Sequence, residues 1–93
     1  MAFGGVETAK TLKKALKQHG KKFKAKQGEI LVDGNKVFVW HFGTRILTVN
    51  TDGSNPELGG GFSYTDQTII NTVLSQLGSS KRASRKGGSM HII

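Results

Sequence analysis

One stretch constrains the fold of this chain more than any other: Lys36-Val37-Phe38-Val39-Trp40-His41-Phe42. Val37, Val39 and His41 alternate with Phe38, Trp40 and Phe42, the two-residue period of an extended strand. Turn signals bracket it. Asp33-Gly34-Asn35 supplies the residues that tolerate positive φ in a tight hairpin, and Gly43-Thr44 turns the chain again. A strand with hairpin turns at both ends belongs to an antiparallel sheet, with residues 29–32 before it and residues 45–50 (RILTVN) after it. Farther upstream, Lys22, Lys24 and Lys26 alternate with Phe23 and Ala25, as in a strand with one wet face.

Helical periodicity flanks this sheet. Across residues 6–19, Val6, Ala9, Leu12 and Leu16 recur at spacings of three and four and share one face. Glu7 lies where the helix dipole favours an anion, Lys13, Lys14 and Lys17 where it favours cations, and Gly20 follows as a left-handed cap. Residues 65–77 form a second helix, with Thr65 as N-cap and Ser63 and Asp66 also in capping range. Ile69, Ile70, Val73, Leu74 and Leu77 give it an apolar stripe, and Gly78 ends it. The expected fold class is therefore α+β: helix, three- or four-stranded antiparallel sheet, helix, with both helices on one sheet face. The expected organisation is a flexible N-terminus (1–5), a single domain (6–78) and a disordered basic tail (79–93) made of Ser, Lys, Arg and Gly. Met90-His91-Ile92-Ile93 ends that tail with an apolar tip of no assigned role.

Composition narrows the function classes. A chain of 93 residues without cysteine has neither disulfides nor a Cys-based zinc site to supplement its small core. Its apolar runs, such as Ile30-Leu31-Val32, are too short for a membrane-spanning helix. Met1-Ala2-Phe3-Gly4-Gly5 lacks the charged and apolar regions of a signal peptide, so a cytoplasmic location is expected. The net charge of +8 is unevenly placed. Residues 1–26 hold eight lysines against Glu7, residues 27–78 carry three more acids than bases, and residues 79–93 hold four bases and no acid. A field of that shape draws polyanions to particular surfaces.

The expected nucleic-acid contacts are Lys10, Lys13, Lys14, Lys17, Lys21, Lys22, Lys24 and Lys26, joined by Lys81, Arg82, Arg85 and Lys86 of the tail. The alternative for such lysines is a solubilising face. Lysine rather than arginine predominates, which suits phosphate contact more than base reading. Phe38, Trp40 and Phe42 are assigned to the core; exposed, they would make a stacking platform for single strands, with Tyr64 a second aromatic candidate. Gly59-Gly60-Gly61 precedes a helix without the Lys-Ser/Thr of a phosphate loop and with Asp66 in its first turn, so it is expected to be a flexible turn. His19, His41 and His91 have no ligand spacing, and no metal or other cofactor is expected. Ser63, His41 and Asp52 can be drawn as a triad, but no nucleophile elbow surrounds the serine, and no enzyme is expected.

The segment Trp40-His41-Phe42-Gly43-Thr44-Arg45-Ile46, with Asp52-Gly53, Gly60-Gly61-Phe62-Ser63-Tyr64-Thr65 and Ile70-Asn71, resembles a group of short bacteriophage-encoded proteins with relatives in haloarchaea. The pattern of that group is H-G-T, an apolar strand, D-G, then G-G-aromatic-x-T leading to I-N near a helix. In this chain Phe42 stands between His41 and Gly43, and the threonines before the helix are reduced to Thr65 and Thr68. The resemblance covers residues 40–74 and implies a phage protein without implying a mechanism. The element order is also similar to that of the double-stranded RNA-binding domain, although Thr65-Asp66-Gln67-Thr68 stands where its basic signature would be. Two partner classes follow: nucleic acid, DNA or RNA, met through the basic residues, or a host protein of a nucleoprotein machine that the chain inhibits or redirects. Neither a membrane nor a small-molecule substrate is expected.

Overall fold

Residues 5–25, 28–60 and 63–93 are described in the structure, a computed structural model. The flexible start expected for residues 1–5 lies mostly outside them, as does Lys26. Among the described residues the chain forms α1 (Gly5–Lys17), β1 (Lys22–Lys24), β2 (Gly28–Asp33), β3 (Lys36–His41), β4 (Thr44–Asn50), β5 (Glu57–Leu58), α2 (Tyr64–Gln76), β6 (Ala83–Lys86) and β7 (Ser89–Ile92). The class is α+β, with helix, antiparallel strands and helix in that order. The main sheet has five strands in sequence order, the last being the short β5. No helix among the described residues is long and apolar enough to cross a membrane.

Two-residue loops set the register of the central strands. Gly34, first of the pair between β2 and β3, takes φ 62. Between β3 and β4 both Phe42 (φ 52) and Gly43 (φ 76) are left-handed, the conformation whose twist matches the flanking strands. The pairing of β2, β3 and β4 then brings Ile30, Val32, Val37, Val39 and Val49 onto one face, all fully buried. Leu12 and Ala15 of α1 and Ile69, Ile70, Val73 and Leu74 of α2 close that core from above. Each fully buried aliphatic side chain contributes about 1.5–3 kcal/mol.

The buried face of α1 differs from the expected one. Thr8, Thr11, Leu12 and Ala15 face the core, whereas Val6 is 69% exposed. At 100° per residue, Lys10, Lys13, Lys14 and Lys17 point roughly opposite those four. Keeping four ammonium groups in water fixes the helix rotation more strongly than burying Val6 would. Thr11 satisfies its hydroxyl inside the helix by donating to the Glu7 carbonyl at 2.8 Å.

α2 begins one residue earlier than expected, and its N-cap is Ser63 rather than Thr65. The Ser63 Oγ accepts from the Asp66 N–H at 3.1 Å, and the Asp66 Oδ2 accepts from the Ser63 N–H at 3.0 Å, a reciprocal capping box. Gly78 (φ 74) ends the helix as expected. The Ser79 N–H donates to the Leu74 carbonyl at 2.9 Å and the Gly78 N–H to the Ser75 carbonyl at 3.1 Å, closing a Schellman turn.

Residues 79–93 correct the expectation of a disordered tail. β6 and β7 form a hairpin across Gly87 (φ 60) and Gly88 (φ 81), and Ala83 and Met90 are buried in the core. The Asn71 side chain holds it to α2, its Nδ2 donating to the Ala83 carbonyl at 3.0 Å and its Oδ1 accepting from the Ala83 N–H at 2.7 Å. Backbone bonds in both directions between Arg82 and Ile93 extend the ladder. Met90 and Ile92 are the apolar surface that offsets the ordering entropy, so the tip of unassigned role is a packing element.

Candidate nucleic-acid interface

The aromatic strand also departs from expectation. Val37, Val39 and His41 face the helices, while Phe38 and Trp40 lie on the opposite, half-buried face of the sheet and Phe42 is 70% exposed. Alternation in β3 determines which residues travel together but leaves open which set the helices cover. The narrow, β-branched Val37 and Val39 fit beneath two helices alongside Ile30, Val32 and Val49. The larger rings are left on the outer face.

That outer face follows from the register. Phe38 stands between Leu31 of β2 and Thr48 of β4, and Trp40 between Glu29 and Arg45. Lys22 and Lys24 of β1 pair with Leu31 and Glu29, and Lys36 lies between Asp33 and Asn50. The Phe38 and Trp40 rings are stacked, with centroids 6.2 Å apart and planes 28° from parallel. The Lys22 Nζ sits 4.5 Å from the Trp40 ring centroid and 3.6 Å from the Glu29 Oε2. The face therefore carries two stacked rings between cations, with Glu29, Asp33 and Glu57 as its acids.

A second basic surface lies on α1. Lys10, Lys13, Lys14 and Lys17 are all exposed, and among the described residues none of them is within 4.0 Å of a carboxylate. α1 packs against β1 and β2 on the core side, so its lysine stripe and the Lys22–Lys24 pair lie on either side of the β1 edge. Lys21, just before β1, is exposed and stands 5.1 Å from the Phe23 ring. Of the eight N-terminal lysines expected to act together, seven are thus placed at one end of the sheet. The four bases of residues 79–93 do not join them. The hairpin that carries them packs on α2 and β5, at the far end of the strand order. Arg82 is turned onto its own backbone, donating to the carbonyls of Ser79 at 2.7 Å and Lys81 at 2.6 Å. Lys81, Arg85 and Lys86 are exposed.

The remaining sequence candidates have structural roles. Tyr64 is 74% exposed but lines a groove with Ala9 and Asn71 between the helices, away from the sheet face. The expected flexible turn at 59–61 is paired backbone where it is described: the Gly59 N–H donates to the Ile46 carbonyl at 3.0 Å and the Gly60 N–H to the Arg45 carbonyl at 2.8 Å. Of Ser63, His41 and Asp52, the first two line one cavity with Asp66, while Asp52 lies apart beside Gly78 and Ser79. The Asp52 Oδ1 accepts from the Ser54 N–H at 2.9 Å and hydroxyl at 2.6 Å, and the hydroxyl bond chiefly holds its pKa below the ordinary carboxylate value. The carboxylate that meets His41 is Asp66, with Oδ1 at 2.7 Å from Nδ1 and both side chains buried, and it ties the end of β3 to the first turn of α2. Among the described residues no three His, Cys, Asp or Glu side chains come together as a metal site.

The lysines were legible in the sequence, but the half-buried rings beside them were not, although the alternation at residues 36–42 was the available signal. No protein-family model matches the chain, and no curated protein or solved structure does.

Proposed function

We propose that this chain is a small, non-enzymatic nucleic-acid-binding protein of the phage type, active in the host cytoplasm, that contacts phosphates through α1 and β1. One observation carries the reading: Lys10, Lys13, Lys14 and Lys17 form an exposed stripe with no carboxylate in ion-pair range among the described residues. Acids interspersed along such a stripe would make it a solubilising surface. Unneutralised ammonium groups in a row instead raise the local potential and release condensed counterions when they meet a polyanion. Lys21 and Lys24 extend the stripe around the sheet edge, beside Lys22, which pairs with Glu29. The bases of the hairpin lie too far along the sheet to belong to this surface, so they are left out of it.

Fluorescence polarisation with labelled DNA and RNA across a salt series tests the proposal. Log K should fall against log salt with a slope on the order of −4 to −6. Substituting Lys10, Lys13, Lys14 and Lys17 together by Gln should make that slope shallower by about 3 and leave the fold intact, since all four face solvent. A response flat in salt would overturn the proposal and leave a host protein as the partner to seek.

A further inference from the structure

From the outer sheet face we infer a preference for single strands: Phe38 and Trp40 form a stacking platform for the unpaired bases of single-stranded nucleic acid. This rests on the nucleic-acid reading and adds to it the form of the ligand. Three observations converge. The two rings follow each other along β3 and stack at 6.2 Å with planes 28° from parallel, so together they form one aromatic column on which unpaired bases can continue the stack. They stay half-buried on the face turned away from both helices, although the core beneath the helices is filled by aliphatic side chains. Cations surround them: Lys22 and Lys24 on one side, Arg45 on the other.

The acids on this face bear on the choice of ligand. Glu29 is held by Lys22 at 3.6 Å, Asp33 lies opposite Lys36 in the ladder, and Glu57 sits at the far edge on β5. The uncompensated positive charge is therefore at the β1 side, where Lys24 and then Lys21 lead around the edge to the α1 stripe. A polynucleotide crossing the sheet toward β1 sets its bases on the rings and its phosphates beside these ammonium groups. A duplex hides its π-faces within its own stack and presents only phosphates and groove edges, so it gains nothing from the rings. An apolar protein segment would find the rings but would leave the cations without anionic partners.

Lys22 gives the platform a ready exchange. Its ammonium group now covers the Trp40 ring at 4.5 Å from the centroid. A base that takes this place replaces a cation–π contact with a stacking contact, and the flexible lysine stem carries the charge to the adjacent phosphate.

Trp40 is the only tryptophan in the chain, so its emission reports on this face alone. The intact protein is titrated at low salt with oligo(dT) and oligo(rU) of about 12 nucleotides, and with a duplex of equal phosphate number. Quenching by either single strand but not by duplex is expected. Trp40→Leu and Phe38→Leu should each weaken single-strand binding about tenfold and leave duplex binding unchanged. Quenching in the unaltered protein decides the matter even if a variant fails to fold. Salt-dependent binding without quenching, equal for single strand and duplex, would overturn the platform while leaving the phosphate surface standing. No binding at low salt would overturn both, and capture of a protein partner that alone quenches Trp40 would do the same.

Discussion

Gly59 stands where the backbone leaves no room for a side chain. A Cβ at this position would run into the Arg45 carbonyl, the group that the next residue, Gly60, binds. Gly59→Ala must therefore push β5 away from β4. A loss on the order of 1–3 kcal/mol is expected, read as a lower denaturation midpoint with an unchanged slope. Thr8 poses the opposite case. It is fully buried, and its hydroxyl has no hydrogen-bond partner among the described residues. Thr8→Val keeps the shape and removes the desolvated hydroxyl, so stability should rise by about 1 kcal/mol in the same measurement. Phe42 belongs to neither group. It holds a left-handed conformation better suited to Asn or Gly while leaving its ring 70% exposed, 4.5 Å from that of His41. The histidine, glycines and asparagine spread over residues 41–71 have architectural tasks. His41 meets Asp66, Gly43 and Gly53 take positive φ, Gly60 pairs with β4, and Asn71 docks the hairpin.

At the scale of elements, the hairpin of β6 and β7 depends on one amide. Asn71 offers Ala83 both a donor and an acceptor, as an adjacent strand would, and Gln67 adds a bond to the same carbonyl at 3.3 Å. Asn71→Leu leaves the Ala83 N–H without that partner. Amide exchange should then accelerate across residues 83–92 while the central strands keep their protection, a split that exchange mass spectrometry resolves. The hairpin was legible in part: Gly87-Gly88 between Ala83/Arg85 and Met90/Ile92 is a two-residue turn signal flanked by alternation. The Ser, Lys, Arg and Gly composition obscured it, because composition weighs every residue alike and only Ala83 and Met90 needed to be buried. The central sheet and α2 were read directly, since turn residues and a strong apolar stripe are local signals. The covered face of β3 was not. Val37/Val39/His41 and Phe38/Trp40/Phe42 are both apolar sets, and what separates them is long-range: the helix stripes above and the carboxylate of Asp66. The same holds in part for α1, where keeping Lys10, Lys13, Lys14 and Lys17 in water turns Thr8 and Thr11 inward, residues that no hydrophobic pattern would have chosen.

At the scale of the whole molecule, positive charge is divided between two ends, with α1 and β1 at one and the hairpin at the other. Deleting residues 79–93 removes Ala83 and Met90 from the core and should cost on the order of 2–4 kcal/mol. Where the shortened chain remains folded, its salt slope for nucleic acid should stay close to that of the full chain, because the α1 and β1 lysines are retained. Chemical denaturation and polarisation on the same sample separate the two effects. A slope that falls by as much as the quadruple lysine variant's would place the phosphate surface on the hairpin instead. The strand order carries a further consequence, for the rate at which this molecule forms. Every neighbouring pair in the five-stranded sheet is also adjacent in sequence, and two of its connections are only two residues long. Little loop-closure entropy stands before the first contacts, and no crossover has to wait for a distant strand. An isolated hairpin forms in about 1–10 μs, and the sheet can then grow outward from β2, β3 and β4 by local steps. The slower events are then the docking of the helix made first and the hairpin made last, which meet the sheet from opposite ends of the chain.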